Sequence, residues 1–163
     1  MTEKILPAMK GLITGLLMIL TFILLFYTQK SSDNLLPYLS YVIYAAGIIW
    51  TLYAYRRSPL FNGKFGNLFT QGFRCFIVVT LMMVLYTWIF NSIHPEFKEE
   101  MAIAYKEQLA KQGDKTPPEI EQEIITFKKQ YTVQLVSRSI FGYLIIGAGL
   151  TAAVSAILTR RNK

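Results

Sequence analysis

Chemistry in this chain would have to start from very few side chains. It has one histidine, His94, and one cysteine, Cys75. His94 stands two residues before Glu96, with Glu99 and Glu100 one helical turn further on. A membrane-embedded enzyme acting on a lipid-linked substrate would need His94, Glu96 and the distant Arg138 to converge at one interface. A histidine without companion ligands is a poor metal site, although such a ring can serve as a pH-sensitive group. A single cysteine excludes an intrachain disulfide, and Cys75 reads as a small apolar residue. The sequence contains no Walker loop, no H-E-x-x-H and no Cys/His cluster. We therefore expect no enzyme, no catalytic residue, no metal and no cofactor. Tyr41 and Tyr44 are a different kind of polar group, because they lie deep in an apolar stretch. A buried hydroxyl needs a partner, so both should face other helices. The alternative is a polar site that opens outward.

The elements that must position these groups are apolar. Hydrophobic residues make up 53% of the chain and charged residues 17%. Four strongly apolar stretches run over about 11–28, 37–55, 75–93 and 139–158, each close to the roughly 20 residues that cross a hydrocarbon core. The expected fold class is all-α: an integral membrane four-helix bundle forming a single domain over residues 1–163. The lipid bilayer is then its first partner. The first stretch follows Lys4 and Lys10 but is longer than the apolar part of a signal peptide, and the segment 28–36 offers no small-residue cleavage pattern. It reads as a retained first span, with Lys10 reaching back to the interface.

Charge sets the expected orientation. The net charge is +7, yet the basic residues sit at the ends of the apolar stretches, which argues against nucleic acid. The N-terminus (Lys4, Lys10), the second loop (Arg56, Arg57, Lys64, Arg74) and the C-terminus (Arg160, Arg161, Lys163) are set against one acid, Glu3. The first loop holds Lys30 and Asp33. The segment from about His94 to Thr132 mixes six lysines with eight acids. The positive-inside rule places both termini and the second loop in the cytoplasm and this mixed-charge segment outside. All ten acids then lie outside the hydrocarbon, which counts against proton-coupled transport.

Spacing adds detail. Gly11 and Gly15 form a G-x-x-x-G pair that lets helix backbones approach, within the bundle or between two copies. Gly147 and Gly149 lie in a fourth stretch rich in small residues, expected at the centre of the bundle. Arg138 falls just outside that stretch, at the interface. In the second loop, Phe65, Leu68, Phe69 and Phe73 recur with helical spacing. Between basic residues, this stripe reads as an amphipathic segment on the inner membrane surface, or else as a docking surface for a cytoplasmic partner. Between the third and fourth spans a helical hairpin is expected over about 94–132. Its first helix, from Pro95 to Gln112, stops at Gly113 and carries Glu107 and Lys111 in the favourable order. Thr116-Pro-Pro-Glu119 is a capping box. The stripe Ile120, Ile124, Phe127 and Tyr131 should face Ile103, Tyr105 or Leu109. With no breaker after Pro117, one helix should run to about Leu158, near 63 Å.

The glycine–aromatic run FGNLFTQGF (65–73), the IHPEF run (93–97) and a small-residue last span closed by TRRNK (159–163) together resemble a bacterial four-span family catalogued as domain of unknown function 4199. The resemblance covers nearly the whole chain, and Gly66, Phe69, Gly72, His94 and Pro95 match its pattern. It implies the bacterial inner membrane and a four-helix fold, and it implies no activity. The expected role is a non-enzymatic accessory or scaffold subunit of a membrane complex. The alternative is a small transporter or lipid-handling protein, homodimeric through Gly11 and Gly15.

Overall fold

Every regular element is helical among the residues described in the computed structural model, 6–28 and 36–160. The helices are α1 (Pro7–Tyr27), α2 (Leu36–Arg56), α3 (Phe65–Ile93), α4 (Glu96–Gln112) and α5 (Pro117–Arg160). Glu3, Lys4, Lys30, Asp33, Arg161 and Lys163, and most of segment 28–36, lie outside the described residues. Contacts divide the chain into two units, Met1–Met83 with Ile140–Lys163, and Val84–Ser139.

Among the described residues three helices are long and apolar enough to cross a membrane: α1, α3 and the apolar part of α5. The 21-residue α2 does not reach the same hydropathy. Its tyrosines explain this, because an aromatic ring with a hydroxyl is amphipathic and suits the membrane interface.

The first unit is apolar on its outside as well as in its core, and several polar side chains are buried among Met18, Ile48, Leu52, Leu68, Phe76 and Val79. Lys10, Thr14, Ser40, Thr51, Thr80, Thr151 and Ser155 are buried, while Leu12, Leu16, Leu20 and Leu24 stand exposed along one face of α1. Only 33% of the apolar window of α1 is buried, so most of its side chains face outward. In water such a surface would be costly at about 25 cal/mol per Å². Lipid removes that cost and leaves close packing and hydrogen bonds to hold the helices together.

Glycines show where the helices close on one another. A Cβ on Gly11 would lie 2.5 Å from the Cys75 carbonyl oxygen, and one on Gly15 would lie 2.7 Å from the Met82 sulfur. Residues 11 and 15 ascending α1 therefore meet 75 and 82 ascending α3, so these helices run in the same direction. Gly47 of α2 sits against Thr14, and Gly72 of α3 against Thr151 of α5. Thr51 hydrogen-bonds the Cys75 thiol at 3.3 Å. As α2 descends from 47 to 51 its partners shift in the opposite sense, so α2 is antiparallel to α1.

The second loop departs from the sequence expectation. Residues from Phe65 onward are the first turns of α3, not a separate surface segment. Leu68 and Gly72 are buried there, and only Phe65 and Phe73 of the aromatic stripe are exposed. The helix tolerates Gly72 because that position has no room for a side chain. Gly63, at φ 77°, makes the turn that precedes it.

The second unit contains the expected hairpin. Glycine at φ 72° ends α4, as Gly113 was expected to do. Thr116 N–H and hydroxyl both donate to Glu119 Oε2 at 2.7 Å, which closes the first turn of α5. Ala102 and Leu109 form the buried face of α4, and Ile120 is buried on α5. Tyr105 stacks on Phe127 at 4.9 Å. Ile103, expected on this face, is 60% exposed. It lies one residue, about 100° of helix, away from Ala102.

Candidate functional site

Two places gather polar side chains, one in each unit. In the first unit the centre is Tyr44, fully buried, whose hydroxyl donates to the Tyr143 carbonyl oxygen at 2.9 Å. The two rings meet edge to face at 5.7 Å. A Cβ on Gly147 would collide with the same hydroxyl and with Phe76, so Gly147 makes the space in which Tyr44 sits. The hydroxyls of Thr14, Thr51 and Thr80 turn back to carbonyls of their own helices. Tyr41 lies 6.1 Å from Tyr143 but is 41% exposed. Of the two tyrosines expected to face other helices, Tyr44 does so fully and Tyr41 lies at the edge.

In the second unit an open groove of about 690 Å³ runs along the hairpin. Its aromatic wall is the Tyr105–Phe127 stack. Gln130, Gln134 and Arg138 line it at four-residue intervals on α5, with Thr126, Gln122, Glu123 and Glu119 towards the helix start and Asp114 and Lys115 from the connection. This is one face of α5. Lys115 donates to Glu123 across the first two turns, and that hydrogen bond holds the ammonium above the ordinary lysine range. The Thr116 N–H, then the Thr116 hydroxyl, hold the Glu119 carboxyl below the usual carboxylate range. Burial pushes the Tyr131 phenol up. Lys128 pairs with Glu99 and ties the two hairpin helices together. The groove thus offers fixed charges of both signs, side-chain amides and an aromatic wall. Such a surface can recognise extended polar chains through donors and acceptors alike.

His94 Nδ1 lies 2.6 Å from Glu96 Oε1. The ring also approaches Phe90 at 4.6 Å and Phe97 at 6.1 Å. The Glu96 carboxyl is held low, first by its own backbone N–H and then by His94. Pro95 caps α4. His94, Pro95 and Glu96 therefore shape the α3–α4 corner, while Arg138 lines the groove on α5.

The family model described as "Protein of unknown function (DUF4199)" matches residues 10–161. The chain belongs to that family. No curated protein matches it, and no solved structure matches it.

The residues that carried the resemblance to DUF4199 divide by environment. Gly72 is packed against Thr151 and Leu52, whereas Gly66 has open space where a side chain would go. Phe69 stacks on Phe65 at 5.8 Å. Among the glycines expected to pack helices, Gly11, Gly15 and Gly147 do so, and Gly149 meets nothing within 4 Å. Gly11 and Gly15 are covered by α3 of their own chain.

Sequence reasoning missed the groove and one further feature. Lys10, expected to reach back to the interface, is only 8% exposed, and its ammonium lies 5.4 Å from the Trp50 ring centre, a contact the sequence did not announce. The signal for the groove was present in the sequence as Gln130, Gln134 and Arg138 at four-residue spacing.

Proposed function

We propose that this chain is a non-enzymatic accessory or scaffold subunit of a complex in the bacterial inner membrane. It crosses the bilayer four times, with both termini and the α2–α3 connection in the cytoplasm and the α4–α5 hairpin outside. The hairpin groove is the surface it offers to a membrane-protein partner.

The observation that carries this reading is the apolar outer surface of the first unit, where Leu12, Leu16, Leu20, Leu24, Val42, Leu81, Ile145 and Ile157 are exposed while threonines and serines share the core with Ile48, Leu52 and Val79. A lipid solvent makes that outer surface favourable. The tyrosine-rich α2 joins as the fourth span because residues 36–55 contain no charged side chain and Gly47 closes on Thr14 of α1. The accessory role rests on the second unit, where polar residues line an open face.

Site-specific photocrosslinking tests it. A photoreactive residue at Gln130, in the groove, should give an adduct with one defined partner in intact membranes. The same residue at Ile125, exposed on α5 outside the groove lining, should not. A partnerless chain in mild detergent with no Gln130 adduct would contradict the accessory role.

A further inference from the structure

We propose that Lys10 and Trp50 form a binding site for the phosphate of an anionic phospholipid. The inference rests on the membrane placement above. Lys10 is nearly as buried as a core residue, and its ammonium lies over the Trp50 ring. An indole face attracts the charge but supplies no acceptor for three N–H donors. Eight of the ten acids fall between Glu96 and Glu123, in the second unit. The pairs His94–Glu96, Lys115–Glu123 and Lys128–Glu99 lie there too. Of the other two acids, Asp33 follows the far end of α1, which leaves Glu3 as the sole acid near Lys10 in sequence. The Lys10 charge lacks a carboxylate partner among the described residues, and an ammonium at a membrane interface calls for an anion.

The surroundings select a lipid. Leu6, Ile13 and Leu17 share the helix face of Lys10 and are exposed, offering a bed for acyl chains. On α2 the face of Trp50 continues to Tyr53, and Arg57 follows directly after the helix end. The Arg57 guanidinium lies 4.4 Å from the Tyr53 ring centre and donates to its hydroxyl at 2.7 Å. Two cations seated on two aromatic rings, one turn apart on α2, suit a headgroup phosphate better than a zwitterionic headgroup, which brings its own ammonium. Basic pockets between helices on the cytoplasmic side are known lipid-phosphate sites in general.

Trp50 is its own reporter. The chain has two tryptophans, so W88F leaves Trp50 alone. The W88F chain is reconstituted in phosphatidylcholine vesicles with about one phosphatidylglycerol in five lipids. Bromine is carried either by the phosphatidylglycerol or by an equal amount of the phosphatidylcholine. The phosphatidylglycerol label should quench Trp50 at least about twofold more strongly. K10Q should erase that preference, and K10R, which keeps the charge, should retain it. Equal quenching by both labels overturns the proposal, as does a preference that survives K10Q. A preference seen only in E3Q would make Glu3 the counter-ion and also overturn it. Loss of the preference on adding inorganic phosphate would assign the site to free phosphate instead. Quenching by neither label would remove the membrane placement itself, a failure distinct from equal quenching.

Discussion

The Tyr44 hydroxyl reaches across from α2 to the carbonyl oxygen of Tyr143 on α5 at 2.9 Å, linking residues 99 positions apart. Gly147 lies one turn further along α5 and makes room for that hydroxyl. The hydrogen bond and the missing side chain are one packing device. A polar link between helices in lipid contributes roughly 0.6 kcal/mol on average, so its value is mainly to fix the register of α2 on α5.

The two glycines of α5 should respond differently to alanine. G147A forces a methyl group into Tyr44 and Phe76 and should cost about 1–3 kcal/mol, as overpacking does. G149A meets open space and should be neutral or stabilising by up to about 1 kcal/mol, since alanine favours helix. Y44F should cost about 0.5–1.5 kcal/mol. Unfolding of the full chain by SDS in mixed micelles measures all three.

Gly11 and Gly15 should also separate. The Cβ of G11A meets a backbone carbonyl, which cannot move aside, whereas that of G15A meets the flexible Met82 side chain. G11A should destabilise by about 1–3 kcal/mol and G15A by less. If the pair served a dimer instead, both variants would change oligomeric state in multi-angle light scattering and leave monomer stability alone. The account predicts the reverse.

The capping box should be pH-dependent. The folded state holds the Glu119 carboxyl below its ordinary range. Its stabilisation is therefore fully present above the unfolded value and lost as pH falls through the folded value. Amides at the start of α5 should exchange faster in E119Q than in the native chain at about pH 7, and the difference should vanish once pH falls below the lowered folded value. For Lys115 the folded value is raised. The Lys115–Glu123 contribution should persist through neutral pH and disappear only as alkaline pH passes that raised value. Equal exchange in E119Q and native chains at neutral pH would contradict the cap.

These cases show what the sequence could carry. The capping box, the stop at Gly113 and the unbroken run from Pro117 are local patterns, and each survived into the structure because neighbouring residues alone decide it. The difference between Gly147 and Gly149 is not local. Two positions on a helix are 200° apart, and only the location of Tyr44 and Phe76 decides which is covered. The extension of α3 back to Phe65 was hidden because Gly66 and Gly72 weaken helix propensity, while the packing of Gly72 on Thr151 compensates only in three dimensions. The face of α4 was misplaced by one residue at Ile103 because a short polar helix has too little apolar periodicity to fix it. Lys10 looked like an ordinary interfacial lysine because nothing in its neighbours points to Trp50.

The most direct test of the whole account is the sidedness of single cysteines in a C75A chain. Cysteines at Lys106 in the hairpin and Lys64 in the α2–α3 connection are exposed to a membrane-impermeant thiol reagent in intact, outer-membrane-permeabilised cells. The account predicts that K106C reacts at once and that K64C reacts only after the inner membrane is broken. Labelling of K64C from outside, or protection of K106C, would contradict it.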